Sequence, residues 1–261
     1  MSKDNSQKDE ESSIKNADWR LQAVTTLAND WVSPWTGTKH EKGCSVMLSG
    51  KAKFGIKTLN FLIPSMTALF LDYSNDLWMQ SQSVLQDESA FKARVSKHIS
   101  KSVVFPTSDD KLFRLFEKRM ASIVFAYSAL EAFANEYIPD NYVFQKERGD
   151  KKCTESYTKE QIENIISMDH KIGTILPEIL TVSSPKGTAL WERYLILKSL
   201  RDRIVHMKSN DRKSVSIDDG SIWQDLTNRR LPNFSKEAKD IIGYLLSKKD
   251  RPRWFNKCSI N

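Results

Sequence analysis

One long amphipathic segment, residues 109 to 138, constrains the fold of this chain more than any other stretch. Its apolar residues recur three and four positions apart: Phe113, Phe116, Met120, Ile123, Tyr127, Leu130, Ala134 and Tyr137. That spacing places them along one face of an α-helix. Ser108 is suited to cap the helix, and Asp109 and Asp110 suit its positive end. A seam of this length has to be covered by other elements, so the segment predicts a helical core.

Three further segments show the same helical spacing. One begins at Thr158, with a capping-box spacing to Gln161. Another covers residues 188 to 208, with a stripe of Leu190, Tyr194, Leu197, Leu200, Ile204 and Met207. The last begins at Ser235, ends in Lys248 and Lys249, and carries Ala238, Ile241, Ile242, Leu245 and Leu246. Together they predict a mainly α protein built as an antiparallel helical bundle.

The N-terminal quarter is of a different kind. Residues 16 to 64 form an extension in which WRLQAVTTL fits a helix or a strand, whereas KAKFGIKTLNF alternates apolar and lysine residues. A β-hairpin with CSVML, turning at Ser49 and Gly50, is one interpretation. We therefore predict a flexible polar tail over 1–15, an extension over 16–64, possibly α/β, a helical domain over 65–248, and a basic aromatic tail over 249–261.

Composition narrows the class of protein. The 261 residues include 39% hydrophobic and 28% charged residues, which is typical of a soluble globular chain. Cys44, Cys153 and Cys258 are scattered, so neither a disulfide framework nor a metal site is predicted. The polar start and the short apolar runs predict a cytoplasmic protein without membrane contact. The net charge of +7 favours a polyanionic partner, which makes it weak evidence for RNA or DNA.

The strongest chemical motif lies near the end of the helix predicted over 188 to 208. It is Arg201, Asp202 and His206, in the pattern R-D-x-x-x-H. On a regular helix Arg201 and His206 point about 140° apart and cannot contact each other, whereas Asp202 lies one turn before His206 and could orient it. The signatures of P-loops, dinucleotide folds, nucleophile elbows and zincins are absent from the sequence. By spacing alone the motif also fits a solvated helix end.

The motif resembles the R-x4-6-H signature of HEPN superfamily ribonucleases, in which a polar residue often follows the arginine. The segment AYSALEAFANEYIP, with Glu131 inside an aromatic seam, is similar to a helix of that family. The resemblance covers roughly residues 65 to 248. It implies a homodimer with two motifs around one cleft, RNA as substrate, no cofactor, a role as a toxin or antiviral defence effector, and a regulatory or antitoxin partner.

The resemblance also assigns roles that fit the chemistry of these residue types. His206 would take the proton of an RNA 2′-hydroxyl while its copy protonates the leaving oxygen, and Arg201 would hold the phosphate. Asp202 would orient His206. The protein would then be a metal-independent endoribonuclease, with a catalytically silent helical interaction or RNA-binding module as the alternative.

For each of three further features the sequence allows two interpretations. Arg203 and Lys208 are either RNA contacts or solvated charges. Glu131 is expected to pair with an arginine of the motif helix, and a direct role in proton transfer is the less favoured alternative. The C-terminal KKDRPRWFNK either binds RNA through its cations and aromatic rings or docks on the protein as an anchored tail.

Overall fold

The computed structural model describes residues 18–34, 37–94, 103–147, 154–212, 220–249 and 251–260. The predicted tail over 1–15 and Cys153 lie outside these residues. The chain divides into two compact units, the first formed by Met1–Leu69 with Asp250–Ser259 and the second by Phe70–Lys249 with Ile260–Asn261. The division falls five residues after the predicted boundary at 64, and it joins the C-terminal segment to the N-terminal unit.

The first unit consists of short antiparallel strand pairs. Its strands are β1 (Ala23–Thr26), β2 (Trp31–Val32), β3 (Lys39–His40), β4 (Ser45–Met47), β5 (Ser49–Phe54) and β6 (Lys57–Leu62). The pairs are β1 with β4, β2 with β3, and β5 with β6. WRLQAVTTL thus contributes a strand rather than a helix.

The predicted hairpin between CSVML and the alternating segment is absent, and the alternating segment instead folds back on itself as the hairpin of β5 and β6. Ser49 and Gly50 lie inside strand β5, and the chain turns instead at Gly55 and Ile56, because Phe54 pairs with Lys57. Gly55 has a φ of 61°, which glycine adopts without strain at the first position of a two-residue hairpin loop. The strand CSVML pairs with β1 and not with the alternating segment.

The C-terminal segment is docked, as the anchored-tail interpretation predicts. A short helix at Arg253–Lys257 buries Trp254, which is 2% exposed, and Phe255. The Arg251 guanidinium lies 4.7 Å from the centroid of the Phe255 ring. Because both aromatic rings are buried, they are not free to stack on bases, and this segment is not an RNA-binding tail of the kind that the aromatic content suggested.

The second unit is mainly helical. Its helices are α1 (Met66–Gln86, which begins in the first unit), α2 (Asp109–Tyr137), α3 (Lys159–Ile165), α4 (Met168–His170), α5 (Leu176–Leu180), α6 (Ala189–Val205), α7 (Ile222–Thr227) and α8 (Phe234–Leu245). A π-helical turn at Lys171–Ile175 joins α4 to α5. Two strand pairs, β7 (Phe91–Arg94) with β8 (Val103–Pro106) and β9 (Val143–Glu147) with β10 (Thr154–Thr158), connect the helices.

Helix α2 is the centre of this unit. It packs against α6 and α8, which also contact each other. Its Ser108 cap is confirmed, since the Ser108 hydroxyl accepts from the backbone N–H of Lys111. The Gln161 side chain likewise accepts from the Thr158 backbone N–H at the start of α3. Helix α8 begins one residue earlier than predicted, at Phe234, because Asn233 caps it, and it ends at Leu245 rather than at the lysines.

The apolar seam of α2 differs from the prediction in its first three turns. Phe113 is 57% exposed, and the buried positions there are Leu115 and Arg119. From Ile123 to Ala134 the residues of the predicted seam are buried. At the start of α2 the buried face therefore carries Leu115 and Arg119, and Phe113 faces outward.

Arg119 enters the core because α7 ends beside it. Its Nη1 donates to the carbonyl oxygens of Leu226 at 2.6 Å and Asn228 at 2.9 Å, which lie at the C-terminus of α7. The guanidinium carbon lies 5.4 Å from the centroid of the Trp78 ring. Burial lowers the pKa of Arg119 to about 10. A cation at a helix C-terminus satisfies carbonyls that the helix itself leaves unpaired.

We expect Arg119→Ala to lower the free energy of unfolding by about 3 kcal/mol, since it leaves a cavity and two unpaired carbonyl groups. Arg119→Met should cost less, because it fills the space without burying a charge. Urea unfolding followed by circular dichroism measures both. Arg114→Ala is the matched control, because the exposed Arg114 forms a surface ion pair with Asp110 one turn away, and its cost should stay under about 0.5 kcal/mol. Equal losses for Arg119→Ala and Arg114→Ala would contradict the anchoring role.

Candidate functional site

The motif lies at the C-terminal end of α6. Thr188 caps the start of this helix by accepting from the Trp191 backbone N–H, and Tyr194, Leu197 and Leu200 form its buried face. The helix ends at Val205, so His206 is its C-cap rather than a helical residue. The His206 backbone N–H still donates to the Asp202 carbonyl at 2.9 Å, but its φ of −117° and ψ of 51° leave the helix. The angle predicted for a regular helix therefore does not apply.

Arg201 is held by groups of α2 and of its own helix. Its Nη2 donates to Glu131 Oε1 at 2.9 Å, and its Nη1 donates to Asp202 Oδ1 at 2.9 Å. The guanidinium carbon lies 4.3 Å from the centroid of the Tyr127 ring, which places the cation over the ring face. The predicted pairing of Glu131 with an arginine of the motif helix is confirmed.

A buried polar chain continues from this cluster into the helical core. Tyr127 packs against Tyr194, whose hydroxyl donates to Asp169 Oδ1 at 2.7 Å. Lys198 Nζ donates to the other oxygen of Asp169 at 2.6 Å. Burial raises the pKa of Tyr127 to about 12 and raises that of Tyr194 further. Both phenols therefore keep their protons near neutral pH. They can donate and accept hydrogen bonds, but they do not act as bases.

Lys171 adds a second cation behind Glu131. It is 4% exposed, and its Nζ donates to Asn135 Oδ1 at 3.1 Å and to the Glu163 carbonyl at 2.9 Å. Burial lowers the pKa of Lys171, against the opposing effect of Glu131. Burial also raises the pKa of Glu131, although Arg201 and Lys171 counteract that effect. Glu131 thus lies between two cations.

Two adjoining clefts open on the surface around these residues. The first, which we name the His206 cleft, has a volume of about 540 Å³ and is lined by Leu195, Lys198, Ser199, Asp202, Arg203, His206 and Lys208. The second, the Arg201 cleft, has a volume of about 480 Å³, and its lining includes Tyr127, Glu131, Asn135, Lys171, Lys198, Arg201 and Asp202. Lys198 and Asp202 line both clefts, so they form the ridge between them. Arg201 and His206 therefore face neighbouring clefts and do not share one within a single chain.

The expected contact of Asp202 with His206 is not present. The Asp202 carboxylate accepts from Arg201, and among the described residues no hydrogen bond reaches the His206 imidazole. The cause is local, because α6 ends at Val205 and the His206 backbone leaves the helix, so the helical spacing from Asp202 no longer applies. Asp202 holds Arg201 in this structure.

Arg203 has a structural place that the sequence did not indicate. Its guanidinium donates to Asp211, to Asp225 and to the Gly220 carbonyl, at distances of 2.8 to 3.0 Å. The Asp211 carboxylate also accepts from the Ile222 backbone N–H, and its residue is 5% exposed. Arg203 is therefore held by an ion-pair network with Asp211 and Asp225 on the wall of the His206 cleft, and its role as an RNA contact stays a prediction. Lys208 is exposed on the wall of the His206 cleft.

Arg203→Ala is expected to raise amide hydrogen exchange at least about tenfold at residues 209–212 and 220–226, because it removes the cation that joins Asp211 to Asp225. Arg203→Lys should restore only part of the protection, since an ammonium cannot bind both carboxylates in a planar fork. Exchange monitored by mass spectrometry at pH 7 provides the measurement, with the exposed Arg212→Ala as control. Unchanged hydrogen exchange in Arg203→Ala would show that the contacts of Arg203 do not stabilise these segments.

Glu131→Ala should lower the thermal midpoint by a few degrees and leave the cleavage rate per folded molecule within about tenfold of the parent. The Glu131 and Arg201 side chains are 38% and 25% exposed, so their ion pair is worth about 1 kcal/mol. Glu131→Gln should cost less, because the amide oxygen still accepts from Arg201. The thermal midpoint and the cleavage rate per folded molecule are measured for both variants and for the parent protein. An unchanged midpoint with activity abolished would place Glu131 in the chemistry.

Several residues of the site were missed from the sequence although a signal was present. Tyr127 precedes Glu131 by four residues, and Lys198 precedes Asp202 by four, so each pair shares one helix face. Lys171 gave no such signal, because its neighbours Asn135 and Glu163 are distant in sequence.

Comparison with models of protein families, with curated proteins and with solved structures gives no significant match to this chain. The similarity to HEPN ribonucleases thus stays a prediction from the motif and the helices. Among the described residues, no group of three or more His, Cys, Asp or Glu side chains is arranged to hold a metal ion. No described helix is long and apolar enough to cross a bilayer.

Proposed function

We propose that this protein is a HEPN-like, metal-independent endoribonuclease. The observation that carries the proposal is the pair of adjoining clefts at the end of α6, one lined by Arg201 and the other by His206, with Lys198 and Asp202 on the ridge between them. A phosphate-binding cation and a proton carrier at the rim of neighbouring clefts suit cleavage of a phosphodiester.

Arg201 has donors to spare for a phosphate. A guanidinium carries five N–H groups, and the hydrogen bonds to Glu131 and Asp202 use two of them, which leaves three. The two carboxylates and the Tyr127 ring hold the planar group in one orientation, so that it loses little freedom on binding a phosphate. In this proposal Asp202 and Glu131 are positioning residues that act through Arg201.

His206 performs the proton transfers in the proposed reaction. The imidazole removes the proton of an RNA 2′-hydroxyl, the resulting oxygen attacks the adjacent phosphorus, and the bond to the 5′-oxygen breaks as that oxygen takes a proton. The products are a 2′,3′-cyclic phosphate and a 5′-hydroxyl. Because each chain carries one His206, we propose that a second copy supplies the other proton carrier at a homodimer interface.

A catalytically silent RNA-binding or interaction module is the second candidate. The observation that favours it is that Arg201 already contacts two carboxylates and an aromatic ring within one chain. In this alternative the motif is a structural cluster, and Lys198, Lys208 and the basic surface bind an acidic partner.

Expression in a bacterial host separates the two candidates. An endoribonuclease with the role of a toxin or defence effector should arrest growth and fragment cellular RNA, and His206→Ala should relieve both effects at equal protein level. His40→Ala is the matched control, because His40 stacks on Trp31 in the first unit, away from the motif in sequence. Normal growth with intact RNA at high expression, or arrest that His206→Ala does not relieve, would favour the binding module.

A further inference from the structure

The hairpin of β5 and β6 is exposed along its whole length. We name residues 49–62 the hairpin arm. Its strands pair over six residues each, and every residue of the arm is exposed except the partly covered Gly50. Phe54 is 72% exposed and Ile56, in the loop, is fully exposed. Apolar side chains seldom stay in water on a paired strand without a partner, so this exposure indicates a binding element.

The pairing register separates the arm into two faces. One face carries the pairs of Phe54 with Lys57 and of Ala52 with Leu59, followed by Gly50 with Phe61. The other face carries the pairs of Lys53 with Thr58 and of Lys51 with Asn60. Aromatic rings and lysines thus lie on the same narrow ribbon, with Lys57 next to Phe54 at its tip.

The charge of the arm has one sign. Between residues 49 and 62 there are three lysines, Lys51, Lys53 and Lys57, and no aspartate or glutamate. Within the described part of the chain none of these lysines has an ion pair or a hydrogen bond through its side chain. By contrast, Lys39 in the same unit is paired with Asp30 at 2.8 Å. Three unpaired cations without a carboxylate favour an anionic partner.

Phe54 and Phe61 have different environments. A Cβ built on Gly50 would lie 2.9 Å from the Phe61 ring, so that ring covers the glycine across the hairpin and has a structural role. Phe54 borders the loop, where no such cover is needed, and its face is open to a flat partner. The exposed Phe54 ring beside Lys57, with two more lysines on the other face of the ribbon, suits single-stranded nucleic acid, since bases stack on the ring and phosphates approach the ammonium groups.

We propose that the hairpin arm binds a single-stranded segment of RNA, with Phe54 stacking on a base, Lys57 contacting a phosphate on the same face, and Lys51 and Lys53 contacting phosphates where the RNA continues over the edge of the ribbon to the other face. This inference rests on the proposed function, because it names a substrate-binding element for the same RNA. Lys51 and Lys53 point to the same side of one strand, about 7 Å apart, a spacing that suits neighbouring phosphates of an extended strand.

The test measures binding of the full-length chain to a fluorescein-labelled, mixed-sequence single-stranded RNA over a range of salt concentrations. All variants carry His206→Ala so that the RNA stays intact. The triple variant Lys51→Gln, Lys53→Gln, Lys57→Gln should bind at least about tenfold more weakly near 0.1 M salt and lower the slope of log K against log salt by about 2. Phe54→Leu should weaken binding about fivefold or more without changing the slope, because it removes stacking and keeps the charges.

The matched control removes the same charge elsewhere. Lys236→Gln, Lys248→Gln and Lys249→Gln are exposed changes in the second unit, and they should alter the slope by less than about 1. Circular dichroism and thermal midpoints confirm that each variant is folded. If the two triple variants changed RNA affinity and its salt dependence equally, the lysines of the arm would act only as general surface charge, and the proposal would be overturned.

The outcomes also separate this inference from the proposed function. If the arm variants lose RNA affinity while the parent chain cleaves no RNA, the inference stands and the ribonuclease proposal fails. If the arm variants in a His206-intact chain cleave RNA with unchanged KM and unchanged binding, the ribonuclease stands and the inference fails. Retained RNA affinity together with lost binding to phosphatidylserine vesicles would assign the arm to a lipid surface, and no RNA binding by the parent would overturn the inference.

Discussion

We expect His206→Ala to slow RNA cleavage by at least about a thousandfold while the protein stays folded. The reason is that the proposed reaction takes both of its proton transfers from this side chain and its copy, and each such transfer typically contributes between 10² and 10⁴ in rate. Folding should be unaffected, because His206 is exposed and its only described hydrogen bond is made by the backbone N–H, which alanine keeps.

Arg201→Ala should have an effect of similar size, about a hundredfold or more, through loss of the charge that stabilises the transition state. It should also cost some stability, since Glu131 and Asp202 would lose their shared cation. Arg201→Lys should restore little, because an ammonium cannot bind a phosphate in a planar fork while it contacts both carboxylates. Lys208→Ala, at the wall of the neighbouring His206 cleft, should raise KM and leave kcat nearly unchanged.

The chemistry of the products gives the sharpest evidence. End-labelled RNA and mass spectrometry of the fragments should show 2′,3′-cyclic phosphate and 5′-hydroxyl ends, and DNA of the same sequence should survive, because the attacking group belongs to the RNA. EDTA should leave the rate within about twofold. Activity that EDTA removes and magnesium or manganese restores would contradict the mechanism, as would 5′-phosphate ends.

The fold could be predicted wherever local spacing decided the structure. Helices α2, α3, α6 and α8 follow from periodicity and from capping residues such as Ser108, because both depend on neighbours within one or two turns. The first turns of α2 could not be predicted, since Arg119 is buried there by carbonyl groups at Leu226 and Asn228, more than a hundred residues away. No local pattern contains that information.

The site shows the same division between local and distant contacts. The pairing of Glu131 with Arg201 was predictable, because a carboxylate beside a buried seam needs a cation and the motif helix supplied one. The contact of Asp202 with His206 was predicted from helical spacing and failed, because spacing does not show that the helix ends one residue before the histidine. The role of Arg203 depends on Asp211 and Asp225, which its own helix cannot reveal.

The residues of the motif differ in how they are held. Arg201 is held by three groups of the second unit, whereas His206 follows the last residue of α6, and none of the described residues makes a hydrogen bond to its side chain. An oriented cation and an imidazole without a hydrogen-bond partner among the described residues suit the proposed site, in which Arg201 holds the phosphate and another copy supplies the second proton carrier. The dimer therefore becomes the decisive test of the composite site.

We expect a tenfold excess of His206→Ala chain to suppress the activity of the parent protein about tenfold. If one site uses His206 from both copies, subunit exchange leaves roughly one parent chain in eleven paired with another parent chain, and mixed dimers lack one proton carrier. Static light scattering at micromolar concentration should first give twice the 30.0 kDa chain mass. Cleavage is then measured at saturating RNA before and after exchange of subunits. The mixture before exchange is the matched control, because it holds the same amount of inactive RNA-binding protein. Independent sites in each chain would leave the activity of the parent unchanged after exchange, and a monomer across the concentration range would remove the composite site altogether.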